Sequence, residues 1–73
     1  MLTADGFDSA ILGTTTSWEG DEVMVYSVTE CLNVLMERDG MSAGDAAEFF
    51  DFNVAGAYVG KLTPIFVWDY TES

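Results

Sequence analysis

From Ser27 onward, apolar residues recur at helical spacing. Val28, Cys31, Leu32 and Leu35 stand at i, i+3, i+4 and i+7, the stripe that an amphipathic helix turns toward a core. Glu30, Asn33 and Glu37 occupy the other side. Ser27-Val28-Thr29-Glu30 reads as a capping box at the start, the serine oxygen accepting from the N3 amide while Glu30 reaches back. Arg38 suits the negative end of the helix dipole, and Gly40 suits the left-handed stop, with Met41 packing back behind it.

A second helix follows at once, with Ser42 as N-cap and Asp45 three residues on. At about 100° per residue, Ala43, Ala46, Phe50, Val54 and Ala57 share one face. Asp45, Glu48 and Asp51 gather opposite, and Phe52 falls among them. This helix is expected to stop between Gly56 and Gly60, and the short loop Gly60-Lys61-Leu62-Thr63-Pro64 then turns straight back. Asn53 falls at the edge of the apolar sector, where its amide is expected to tie off a loop backbone.

Two segments have strand character, Glu22-Val23-Met24-Val25-Tyr26 and Pro64-Ile65-Phe66-Val67-Trp68, both rich in β-branched and aromatic residues. Ala10-Ile11-Leu12-Gly13-Thr14-Thr15-Thr16 is a weaker third strand that pairs with the first across Ser17–Asp21. Residues 5–12 also fit a short helix capped by Asp5, and the pattern does not choose between the two. The order is β-β-α-α-β in one α+β domain spanning 1–73, with two helices on one face of a small antiparallel sheet. Trp68 and Tyr70 share a strand face with Phe66, and that face is either covered by the helices or sticky.

Composition sharpens this picture. The 73 residues carry 13 acids against Arg38 and Lys61, a formal charge of −11, yet 49% are hydrophobic. So apolar a chain can bury a core, and disorder through poverty of apolar residues is excluded. With one cysteine and no histidine, an intramolecular disulfide and a Cys/His zinc site are both excluded. A single thiol fits a reducing, intracellular setting. The N-terminus lacks the basic and apolar regions of a signal peptide, and no apolar run reaches the roughly 20 residues that span a bilayer. Nucleic-acid backbones and anionic membranes repel such a charge, so direct contact with either is not expected. A basic protein surface is the partner it favours, and solubility is the plainer use.

Several quoted segments are together familiar. Arg38-Asp39-Gly40-Met41-Ser42, Ala46-Ala47-Glu48-Phe49-Phe50-Asp51-Phe52-Asn53, Gly56-Ala57-Tyr58-Val59-Gly60 and Thr63-Pro64-Ile65-Phe66-Val67 resemble motifs of small uncharacterised proteins from tailed-bacteriophage genomes. The opening Asp5-Gly6-Phe7-Asp8-Ser9-Ala10-Ile11-Leu12-Gly13 looks like theirs, whereas Thr14–Asp21 matches no motif of the group. The resemblance implies a phage origin and expression in the cytoplasm of the infected bacterium. It implies no activity.

The acid stripe carries the functional expectation. Steps of three residues advance about 4.5 Å along a helix, within reach of the phosphate spacing of about 3.4 Å per nucleotide. Asp45, Glu48, Asp51 and Phe52, with Glu30 and Glu37 as lesser candidates, are expected to hold a basic surface of a host protein. In its most specific form this is nucleic-acid mimicry of the anti-restriction or anti-CRISPR type. The rival is an oligomerising module whose acids serve only solubility. Enzymatic chemistry is not expected: no histidine offers a general base, and Cys31 lies on the core stripe. Asp5-Gly6-Phe7-Asp8 suggests calcium, but the twelfth residue of such a loop is Thr16, where an EF-hand needs glutamate. No metal and no cofactor are expected.

Overall fold

The computed structural model describes residues 2–57, 60 and 62–69. After a 3-10 turn at Asp8–Ala10 the chain forms strand β1 (Ile11–Thr16) and strand β2 (Glu22–Ser27). Helix α1 (Val28–Asp39) and helix α2 (Ala43–Phe49) follow. Helix α2 continues as a π turn over Phe50–Val54 and a 3-10 turn over Ala55–Ala57, before the short strand β3 (Ile65–Val67). The fold is α+β. The strand reading of the N-terminal segment is the one found, from Ile11; the helix over 5–12 capped by Asp5 is replaced by a three-residue 3-10 turn whose N-cap position is Phe7. Tyr58, Val59, Lys61 and Tyr70, which figured in the expected helix end, the return loop and the aromatic strand face, lie outside the described residues.

The sheet has the order β1-β2-β3 and is mixed, not antiparallel. Strand β1 runs antiparallel to β2, but β3 runs parallel to it, with Val25 beside Ile65 and Ser27 beside Val67. Two helices between strands imply an antiparallel return only where the second retraces the first. Because β3 is parallel to β2, the chain enters it from the starting end of β2.

Parallel pairing brings Asp69, just past β3, to the N-terminus of α1. Ser27, the last residue of β2, caps that helix by accepting from the Glu30 amide at 3.1 Å. Its hydroxyl in turn donates to the Asp69 carboxylate at 2.6 Å, and the Thr29 amide donates to the same carboxylate at 3.3 Å. The Thr29 hydroxyl donates to the Asp69 carbonyl. The expected capping box is half formed: Glu30 accepts from the Asn33 side chain, because Ser27 already belongs to a strand. At the other end Gly40 stops α1 with φ 69°, its amide bonding back to the Leu35 carbonyl.

The core lies between the helices and one sheet face. Tyr26, Val28, Cys31, Leu35, Ala46 and Phe50 are essentially sealed from solvent. Phe66 links the layers, its ring stacked on Tyr26 at 5.5 Å and met edge-on by Phe50 at 5.2 Å. Trp68 meets Phe50 edge-on at 6.3 Å but stays 55% exposed, so the helices cover the aromatic face at β3 only in part. Strand alternation turns Val25, Ile65 and Val67 to the opposite face, where Ile65 and Val67 are exposed. The N-terminal segment is held by the Ala4 amide, which donates to the buried Tyr26 hydroxyl at 2.8 Å. Arg38 holds it a second time, donating to the Gly6 carbonyl and lying 5.5 Å from the Phe7 ring centre.

Candidate partner-binding groove

Helix α2 starts where expected. The Ser42 hydroxyl accepts from the Asp45 amide at 3.2 Å, and the Ser42 carbonyl accepts from Ala46 at 2.8 Å. Ala46, Phe50 and Val54 face the core. The two ends of the predicted apolar face, Ala43 and Ala57, are exposed. Ala43 is the first helical residue, and Ala57 follows a π turn that resets the phase.

The π turn also needs Gly56. A Cβ there would stand 2.9 Å from the Asp51 carbonyl oxygen, closer than such contacts run. Helix widening is common at functional positions, where it re-aims a few side chains. Phe52 is 76% exposed, as its α-helical phase already requires, and Asn53 is exposed as well. Asn53 therefore does not tie off a loop from the core edge, as its α-helical phase suggested.

The outward face of α2 forms an open hollow of about 320 Å³ lined by Met41, Asp45, Glu48, Phe49, Phe52 and Asn53. Residues 45, 48, 49 and 52 follow one helical face. Three of the expected residues, Asp45, Glu48 and Phe52, meet in this hollow. Asp51, the second residue of the widened turn, is exposed but lies outside it. Glu30 and Glu37 are exposed on α1 and do not line it either. Sequence phasing missed Met41 and Phe49. Phe49 was legible as the residue four after Asp45 and three before Phe52, which is same-face spacing.

Chemically the hollow pairs two carboxylates with a floor of one thioether and two phenyl rings. The cation nearest in sequence is already engaged. Arg38 makes a two-pronged bond to Asp39, with its closest approach 3.0 Å, and this holds the Asp39 carboxyl below its ordinary range. An arginine or lysine from a partner fits this floor. Its aliphatic stem packs on Met41 and the rings, and its charged head finds Asp45 and Glu48.

A second polar cluster, at the N-terminus of α1, is structural. Ser27 and Thr29 both address Asp69, whose carboxyl is held below its usual range, chiefly by the Ser27 hydroxyl against opposing desolvation, with further help from Thr29. Burial, then the charges of Asp69 and Glu30, push the Cys31 thiol up to about 11, so it stays protonated at neutral pH. Among the described residues no helix is long and apolar enough to cross a membrane. No protein-family model, curated protein or solved structure matches the chain.

Proposed function

We propose that this chain is a small phage accessory protein that binds a basic surface of a host protein, in the cytoplasm of the infected bacterium, through the hollow on α2. The observation that carries this reading is the joining of Asp45 and Glu48 to the exposed rings of Phe49 and Phe52 in one concavity, on a chain of charge −11. An acid face meant only for solubility has no need of a phenyl ring that is three-quarters exposed at its centre. Aromatic anchors beside charge are typical of binding hot spots. The host residue taken is an arginine or lysine, and the effect on the host protein is competitive exclusion of whatever its basic site normally holds. Nucleic-acid mimicry is the specific form in which that ligand is a phosphate backbone. Asp45 and Glu48, about 4.5 Å apart along the axis, then stand in for successive phosphates.

The test is affinity capture from bacterial lysate with the wild-type chain, with Phe52→Ala and with the double change Asp45→Asn, Glu48→Gln. A specific host protein retained at low salt, weakened at about 0.5 M salt, and lost with either variant supports the reading. Capture that is indifferent to salt and to both variants refutes it.

A further inference from the structure

Strand β1 is an edge of the sheet among the described residues, and it lacks the usual protection. Natural edges are blunted by charge, by proline, by shortness or by a cover. Strand β3, the other edge, has three residues and is followed by Asp69. Strand β1 has six, with no charge and no proline, and its pairing with β2 is regular from Thr14 to Thr16 after a bulge at Ile11/Gly13. It lies inside Ser9–Trp18, ten residues that form the longest uncharged stretch of the sequence. That stretch also holds Trp18, fully exposed at the tip of the β1–β2 hairpin, and Leu12, 58% exposed. The tip is braced: the Ser17 amide donates to the Asp21 carbonyl and the Asp21 amide to the Ser17 hydroxyl.

We propose that β1 is a self-association edge, on which two copies of this chain pair β1 to β1, antiparallel, about a two-fold axis. Charge selects this occupant. Two bodies of −11 repel wherever acids face each other, and an isologous contact sets one patch of the chain against the same patch of its copy. The six residues of β1 carry no charge of their own, so a second copy meets few acids there, the Glu22 carboxylate that accepts from the Thr14 hydroxyl at 3.3 Å being one, and a basic partner gains little. Shape agrees. With the axis at Thr15, Ser17 and Trp18 of one copy run beside Gly13 and Leu12 of the partner subunit, so the exposed indole meets an exposed aliphatic side chain. Free main-chain groups supply affinity and these side chains supply register.

The proposal is independent of the α2 hollow, and salt separates the two: screening strengthens association of like-charged copies and weakens capture of a basic partner. The experiment is light scattering on size-exclusion chromatography from about 10 to about 500 µM chain, at about 0.05 and about 0.5 M salt. The mass is expected to rise from 8.0 kDa toward twice that value, at lower protein concentration in the higher salt. Leu12→Glu and Trp18→Ser should each weaken the dimer by about tenfold or more, with unchanged circular dichroism, while Phe52→Ala leaves it intact. Should Leu12→Glu fail to fold, Trp18→Ser decides alone, since a fully exposed side chain contributes little to the monomer. A mass of 8.0 kDa throughout, a dimer that salt weakens, or a dimer indifferent to Trp18→Ser overturns the proposal. So does a monomer that captures a foreign peptide in a Leu12-dependent way, which assigns the edge to another chain.

Discussion

Removing one oxygen atom tests how the N-terminal segment is held. Tyr26 has no exposed surface, and its hydroxyl accepts the Ala4 amide at 2.8 Å while its ring stacks on Phe66. The change Tyr26→Phe keeps the ring, the stack and nearly all the volume. It leaves the Ala4 amide, on a residue only 1% exposed, without that acceptor. A buried donor stripped of its partner costs about 1–3 kcal/mol. For a domain of this size each kcal/mol moves the melting temperature by about 4–8 °C, so a fall of about 5–20 °C is expected. Thermal melts followed by far-UV circular dichroism at neutral pH measure it.

The control is Phe7→Leu, which touches the same segment through Arg38 and apolar contact but leaves the Ala4–Tyr26 bond in place. If Tyr26→Phe shifts the melting temperature by less than about 2 °C, the segment is not secured by this bond. The placement of Ala4 and Phe7 in the core would then have to rest on apolar burial alone. Hydrogen exchange gives an independent readout: the Ala4 amide should lose protection in the variant before the amides of β2 do.

Other expectations follow from the same geometry. Asp69 has its folded-state pKa held below the ordinary value, so its contribution is present at neutral pH and is lost as pH falls through the ordinary aspartate range toward the folded value. The melting-temperature gap between wild type and Asp69→Asn should therefore be open at pH 7 and closed by about pH 2; a gap independent of pH refutes the assignment. Gly56→Ala forces a Cβ against the Asp51 carbonyl and should cost about 1–3 kcal/mol. Gly44→Ala, with open space around its Cβ on α2, should gain about 0.5–1 kcal/mol. Urea titrations of the two glycine variants check both signs together.

Local signals carried much of this fold. Ser27, Gly40 and Ser42 mark helix ends because caps are made by neighbouring residues, so α1 and the start of α2 were legible residue by residue. The direction of β3 was not, because it depends on the path of the chain between α1 and β3 and not on local sequence, and the capping role of Asp69 went unread with it. The hollow was legible in the same proportion. Asp45, Glu48 and Phe52 obey simple helical phasing. Asp51, Phe52 and Asn53 all sit in the π turn; Phe52 keeps the exposed place that α-helical phasing gives it, whereas Asp51 falls outside the hollow and Asn53 lines it instead of the core edge.

Charge then decides how the two candidate surfaces differ. The hollow on α2 presents acids around an apolar floor, so a second copy of the chain is repelled from it and a cationic partner is drawn in. Strand β1 carries no charge of its own, although the Glu22 carboxylate is held on Thr14, so a cationic partner has less long-range reason to find it, and a second copy less reason to avoid it, than at the hollow. If both surfaces act, one dimer carries two hollows and twice the charge, and a host protein with paired basic sites would be held by both. Linking two sites in this way can strengthen capture by about 10²–10⁴ without any new contact. A β1 variant such as Trp18→Ser would then weaken capture of such a host although Trp18 does not line the hollow. Against a host with a single basic site, the same variant should bind as tightly as wild type. Measuring both on one host protein, full length and trimmed to one site, separates dimer avidity from a direct role of Trp18: loss of binding to the single-site form as well would mean that the indole itself touches the host.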